Sequence, residues 1–158
     1  MGVFVSGGFA MKHIFTVVPL LGIPVLIYNL IVFTVAAPTA AVPMPIDDTL
    51  AVPLFKMGMI SGGVWSFRLS GLVLLLAFIA LFFELIKATN TRGTSLANHG
   101  FSIGLLMFCI IEFLLFRSFA TTLFFLLTLA SLLDVIAGFM ITVTAARRDI
   151  GVGDGLIR

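Results

Sequence analysis

Charge is scarce in this chain. Only 10% of its 158 residues are charged, seven acids against nine lysines and arginines, where a soluble domain carries about 25%. Cysteine is nearly absent as well. Cys109 stands alone inside an apolar run, so no intrachain disulfide can form, and the residue reads as a small buried apolar group. The two histidines, His13 and His99, have neither the spacing of a zinc site nor a mid-helix position for haem ligation. No CxxC pair, phosphate-binding glycine loop or Ser/His/Asp order occurs. These gaps leave no nucleophile, metal or cofactor on which to build an enzyme. A net charge of +2 comes mostly from residues flanking apolar runs, so no nucleic-acid partner is expected.

What the chain has in abundance is apolar surface. Its residues are 61% hydrophobic and its mean hydropathy is +1.26, against an apolar share of about 45–50% in soluble domains. The long uncharged runs are each sufficient to cross a hydrocarbon layer of about 30 Å as a helix. They predict an all-α membrane protein, a four-helix transmembrane bundle, with the lipid bilayer as its first partner. Residues 1–13 form a cytoplasmic N-terminus, 14–37 a first span, 38–66 an external linker and hairpin, and 67–88 a second span. A cytoplasmic loop at 89–97, spans at 98–118 and 121–146, and a cytoplasmic tail at 147–158 complete the plan.

The first residues carry two readings. Met1-Gly2 with Ser6 fits the short, common myristoylation pattern, whereas Met11-Lys12-His13 before an apolar run is an ordinary start for a membrane protein. The second is preferred. The run at 14–37 exceeds the h-region of a secretory signal, and Pro38 follows the one small-residue cleavage candidate, so a retained helix is expected. Pro19 and Pro24 are expected to bend it, and Tyr28-Asn29 to face a neighbouring helix. Prolines 38, 43, 45 and 53 predict an extended linker without helix.

Residues 54–69 change period. Phe55, Met57 and Met59, then Trp65, Phe67 and Leu69, alternate with polar residues or glycine around Ser61-Gly62-Gly63, which predicts a small extracytoplasmic β-hairpin between the first two spans. A turn at 61–63 pairs Met59 with Trp65, Met57 with Phe67 and Phe55 with Leu69, but sets Lys56 against Arg68. The apolar face of so small a sheet is expected to lie on the membrane surface or on the helix tops.

Basic residues set the topology. Lys12, Lys87, Arg92, Arg147, Arg148 and Arg158 fall on one side, against Lys56, Arg68 and Arg117 on the other. The positive-inside rule then places both termini in the cytoplasm.

Three acids lie within or at the edge of apolar runs, and such groups are candidates for proton relays or ion sites. Asp134 precedes Arg147 by 13 residues, about 20 Å along a helix, which puts it near mid-membrane. A carboxylate there costs about 2.5–3.5 kcal/mol on insertion scales, so it is expected to face protein or water. Ala130, Ala137, Gly138 and Ile141 share its face, a small-residue seam that admits another helix. Thr128 or Ser131 could bond a neutral Asp134. Glu84 is three residues from Lys87, the spacing of a helical ion pair. Glu112 could pair with Arg68 or Arg117, and whether it meets Asp134 depends on where the helices end. Gly100 and Gly104 form a GxxxG element, a weak dimerisation signal more often used for internal packing.

The segment Phe82-Phe83-Glu84-Leu85-Ile86-Lys87-Ala88-Thr89-Asn90-Thr91, with Asp134-Val135-Ile136-Ala137-Gly138-Phe139 and Ala145-Ala146-Arg147-Arg148-Asp149, resembles a family of uncharacterised four-span inner-membrane proteins of alphaproteobacteria. The likeness covers spans two to four and the hairpin with its Val64-Trp65-Ser66-Phe67, and it implies a bacterial inner-membrane location without an activity. The plan is also similar to the tetraspan arrangement of claudin-type proteins, without their cysteine pair. Two functions remain. One is a non-catalytic accessory or structural subunit that packs with other membrane subunits or with itself. The other is a small transporter or proton- or cation-conducting protein using Asp134 and Glu112.

Overall fold

A backbone in hydrocarbon must satisfy its own N–H and C=O groups, and most of this apolar chain does so by coiling into helices. The computed structural model describes residues 18–35, 46–90 and 95–153. In chain order the elements are α1 (Gly22–Val35), α2 (Ile46–Leu50), β1 (Pro53–Gly58), β2 (Val64–Arg68), α3 (Leu69–Asn90), α4 (Ser95–Leu115), a 3-10 turn (Arg117–Phe119) and α5 (Thr122–Gly153). Three helices contain segments long and apolar enough to cross a bilayer: Leu69–Thr89, Asn98–Leu115 and Thr122–Ile141. They mark an integral membrane protein that is mostly helical with one small antiparallel sheet.

α1 is apolar but has only 14 residues, about 21 Å of helix against about 30 Å of hydrocarbon. Of the expected span at 14–37, the described residues are helical from Gly22 to Val35. Val18, Pro19 and Leu20 are non-helical, and the chain enters α1 through turns in which Gly22 N–H donates to Pro19 O and Ile23 N–H to Leu20 O, both at 3.0 Å. Pro19 lies before this boundary, outside the helix. Pro24 sits in the first turn, where its missing N–H has no intrahelical acceptor to lose. The N-terminus at 1–13, residues 14–17 and 36–37 of the span, the linker at 38–45, Arg92 in its loop and Arg158 lie outside the described residues.

The linker also departs from expectation. Between Pro45 and Pro53, Ile46–Leu50 makes a short helix with Asp47 and Asp48 in its first turn, where carboxylates meet the positive helix end. No proline falls inside those five residues, so nothing forbids the turn, and Leu50 is buried beneath it.

α5 is the centre of the bundle and packs along both α3 and α4, while α1 leans chiefly on α3. The inward positions recur every three or four residues: Val73, Ala77, Ala80 and Glu84 on α3; Ser102, Leu106, Cys109 and Glu112 on α4; Phe124, Leu127, Ala130, Ser131 and Asp134 on α5. Phe78, Phe82, Phe108, Leu114 and Phe139 point outward and are exposed, as side chains meeting lipid are. Tyr28 of α1 is fully buried and packs on Phe119 and Phe124 with ring centroids 5.6 and 4.8 Å away. The third and fifth helices start at one end of the bundle and the fourth at the other. The 3-10 turn closes the α4–α5 pair at the end where α3 begins. α5 runs for 32 residues, about 48 Å, and so continues beyond its membrane-length segment.

The hairpin forms, with its register moved by two residues. Phe55 pairs with Phe67, Lys56 with Ser66, Met57 with Trp65 and Gly58 with Val64, with an irregularity between Pro53 and Phe55. The loop is Ile60-Ser61-Gly62: Gly62 N–H donates to Met59 O at 2.9 Å and Met59 N–H to Gly63 O at 2.8 Å. Gly62 closes it at φ +83°, a left-handed position that glycine adopts without steric cost. A shift of two keeps every side chain on its original face, because the strand period is two. It also removes Lys56 from Arg68 and sets it against Ser66, which relieves the like-charge pair. Phe55 then stacks on Phe67 at 5.1 Å and meets Trp65 edge-on at 5.5 Å. Every residue of β1 is exposed, so helix tops do not cover this face.

Counting outward from the Met59–Gly63 hydrogen-bonded pair, Lys56 and Ser66 occupy a non-hydrogen-bonded position, where Cα atoms approach to about 4.5 Å. Lys56→Cys with Ser66→Cys should therefore oxidise readily to a disulfide, and Lys56→Cys with Arg68→Cys should not. Non-reducing electrophoresis after peptide digestion checks this, with the buried Cys109 as a silent background.

Candidate functional site

The embedded polar side chains gather at two levels. At the level where α3 ends and α1 begins, Glu84 is buried to 1% exposure. Both of its oxygens lie 2.9 Å from Lys87 Nζ. The same carboxylate accepts the Leu20 N–H, and Lys87 Nζ donates to Val18 O at 3.1 Å. The expected ion pair is thus present and does more than join two turns of one helix. It grips the non-helical entry of α1 by one backbone donor and one acceptor, with the carboxylate at the positive end of that helix.

Asp134 lies toward the same end. It is seven residues from Ile141 and twelve from Thr122 in the 20-residue apolar segment of α5, within one helical turn of its middle. It is 6% exposed, hydrogen-bonded to Ser102 of α4 and within electrostatic reach of Glu84, Lys87 and His99. The two hydroxyls nearest to it in sequence are otherwise engaged: Thr128 Oγ1 donates to Phe124 O at 3.0 Å and Ser131 Oγ to Leu127 O at 3.1 Å. One turn before Ser102 on α4, Asn98 buries its Oδ1 without a hydrogen-bond partner among the described residues. Ala130 is buried, Ala137 and Gly138 are half-buried, and a Cβ on Gly138 would stand 3.4 Å from His99 Nδ1. The small-residue seam therefore receives α4.

The second level is near the 3-10 turn. Asn29 Nδ2 donates to Glu112 Oε2 at 3.1 Å and to Val25 O at 3.2 Å. Tyr28 Oη donates to Ser118 O at 3.1 Å and lies 2.7 Å from Thr121 Oγ1, which itself accepts the Phe124 N–H at 3.2 Å. Glu112 therefore takes Asn29 where Arg68 or Arg117 was expected; both arginines are exposed. Ser102 and Glu112 are ten positions apart on α4, about 15 Å, so Asp134 and Glu112 are bonded at separate levels. Gly100 and Gly104 are exposed, with nothing within 4 Å of an added Cβ, so they serve no packing inside the described chain.

Sequence reasoning missed Ser102, Asn29 and the backbone of Val18 and Leu20 as partners of the acids. Ser102 was detectable, because 102, 106, 109 and 112 recur at helical spacing and include Glu112. The others depend on how α1 leans on the bundle. Among the described residues, no three His, Cys, Asp or Glu side chains converge as a metal site. No protein-family model, curated protein or solved structure matches this chain.

Two substitutions probe these levels. Glu84→Ala leaves the Leu20 N–H and the Lys87 ammonium without their acceptor and should cost about 3–5 kcal/mol, much of it recovered in Glu84→Ala with Lys87→Met. Asn29→Leu strands Glu112 and should cost about 1–3 kcal/mol. Reversible unfolding in mixed micelles, read by far-ultraviolet circular dichroism, measures both.

Proposed function

We propose that this chain is a four-span, non-catalytic integral membrane protein, an accessory or structural subunit that packs with other membrane proteins or with a second copy. One observation carries the reading: each embedded acid is bonded to a different helix. Glu84 holds the entry of α1, Asp134 bonds Ser102 of α4, and Glu112 receives Asn29 of α1. Carboxylates used in this way hold helices together in a solvent that offers them no partner. The open flank of α4 at Gly100 and Gly104 supports a packing role, since small exposed residues let another helix come close. The apolar stretch 14–37 supplies the length of the fourth span, α1 being its described part. The charge distribution supports cytoplasmic termini in a bacterial inner membrane, and the residues of spans two to four support a place in the alphaproteobacterial family they resemble.

The second reading, proton or cation conduction through Asp134, has one observation in its favour. Asn98, one turn before the Asp134 partner Ser102 on α4, leaves an unpartnered buried oxygen among the described residues. Asp134→Asn separates the two functions, because the amide can still bond Ser102. The structural reading expects unchanged helix association and unchanged proton or solute flux in proteoliposomes, while Asp134→Leu loses about 1–3 kcal/mol of stability. Flux in the parent protein that Asp134→Asn abolishes at full stability would overturn it in favour of conduction.

A further inference from the structure

Where α3 and α5 begin, the bundle opens on a recess of about 200 Å³ that takes no part in the helix contacts described above. Its polar wall is made by Asp47 of α2, Arg68 at the end of β2, Ser70 on the first turn of α3 and Thr122 at the start of α5; Leu50 and Leu123 supply apolar wall. Thr121 also lines it, with its hydroxyl committed to Tyr28 and to the Phe124 N–H. Among the described residues, the side chains of Asp47, Arg68, Ser70 and Thr122 have no hydrogen-bond or ion-pair partner. A carboxylate and a guanidinium thus face one small recess without forming an ion pair with each other.

Its level in the membrane follows from the spans. Ser70 is the second residue of Leu69–Thr89 and Thr122 the first of Thr122–Ile141. The recess therefore lies where two spans enter the hydrocarbon, in the headgroup layer, whichever side of the membrane that is. Its volume is below the roughly 300–1,000 Å³ of sites that enclose a drug-sized ligand. A headgroup whose acyl chains remain in the bilayer fits this limit better than a whole solute.

The chemistry narrows the class. A guanidinium fork suits a phosphate diester, and the Ser70 and Thr122 hydroxyls can donate to the same oxygens. The first turns of α3 and α5 add the positive ends of two long helices. Asp47 works against a purely anionic headgroup and for one carrying N–H donors. We infer that this recess binds the headgroup of a phospholipid with a primary ammonium, phosphatidylethanolamine, its phosphate on Arg68 with the hydroxyls and its ammonium on Asp47. The inference rests on the spans of α3 and α5 alone and not on the subunit reading, and its test uses neither flux nor co-purification.

The full chain, delipidated in detergent, is titrated with dioleoyl phosphatidylethanolamine, phosphatidylcholine or phosphatidylglycerol, or with inorganic phosphate. Thermal unfolding and native mass spectrometry read the binding. Phosphatidylethanolamine should bind most tightly and raise the unfolding temperature most, because choline lacks an N–H donor and glycerol lacks a cation. Arg68→Gln should weaken it about tenfold or more, the loss expected for a charge-assisted hydrogen bond. Asp47→Asn should bring phosphatidylethanolamine down to the level of phosphatidylcholine. Equal binding of the three lipids by the parent chain, a shift reproduced by inorganic phosphate alone, or undiminished binding by Arg68→Gln would each overturn the inference. The lipid series on the parent chain discriminates these outcomes whether or not a variant folds.

Discussion

Hydrocarbon offers no hydrogen-bond partner, and every polar group that this chain carries into it must find one within the protein. The backbone answers by helix formation. The side chains answer at two levels, Glu84 with Lys87 and Asp134 with Ser102 at one, Asn29 with Glu112 and Tyr28 with Thr121 at the other. Between them Val25, Val73, Ala77 and Leu127 belong to one apolar core cluster. The fold depends on this arrangement because apolar packing alone discriminates poorly among helix arrangements when the solvent is as oily as the side chains.

The polar pairs differ in what they fix. Glu112 and Asp134 join helix to helix through single side-chain bonds, each worth about 1.5–3 kcal/mol when a charge takes part. Glu84 and Lys87 hold a non-helical piece of backbone, and so decide where α1 begins. That grip accounts for a fourth apolar helix that starts late. Pro19 and Pro24 bring no N–H of their own to this boundary, and the ion pair takes up the Leu20 N–H and the Val18 carbonyl.

The periphery follows the same constraint with the opposite outcome. Sheet edges are tolerated only outside hydrocarbon, and the hairpin stands at the mouth of the bundle, joined to α3 through the Leu69 N–H to Val52 O bond at 3.0 Å. Phe55, Met57, Trp65 and Phe67 make an aromatic face at that level, and such residues favour the membrane–water boundary. The recess around Arg68 and Asp47 adjoins the same strand, so the polar and apolar features of this end belong to one surface.

Apolar length and period were enough to indicate three long apolar helices and the hairpin's two strands, because each is set by local composition against a fixed solvent thickness; α5 runs seven residues past the expected end at 146. Residue type alone also placed Glu84 beside Lys87, since three positions on a helix bring them together. Pairings between elements were not legible in the same way. The hairpin register turned on which three residues form the loop: a loop at 61–63 and the observed one at 60–62 differ by two residues in every cross-strand pair, and only the second takes Lys56 away from Arg68. Glu112 could have chosen Arg68 or Arg117 by sequence, and it meets Asn29 because α1 packs across the α3–α5 pair at that height. Composition decides what must be buried and how long each helix is; the mutual positions of separate helices decide which donor stands within hydrogen-bonding reach of which carboxylate, and those positions exist only once the whole bundle has formed.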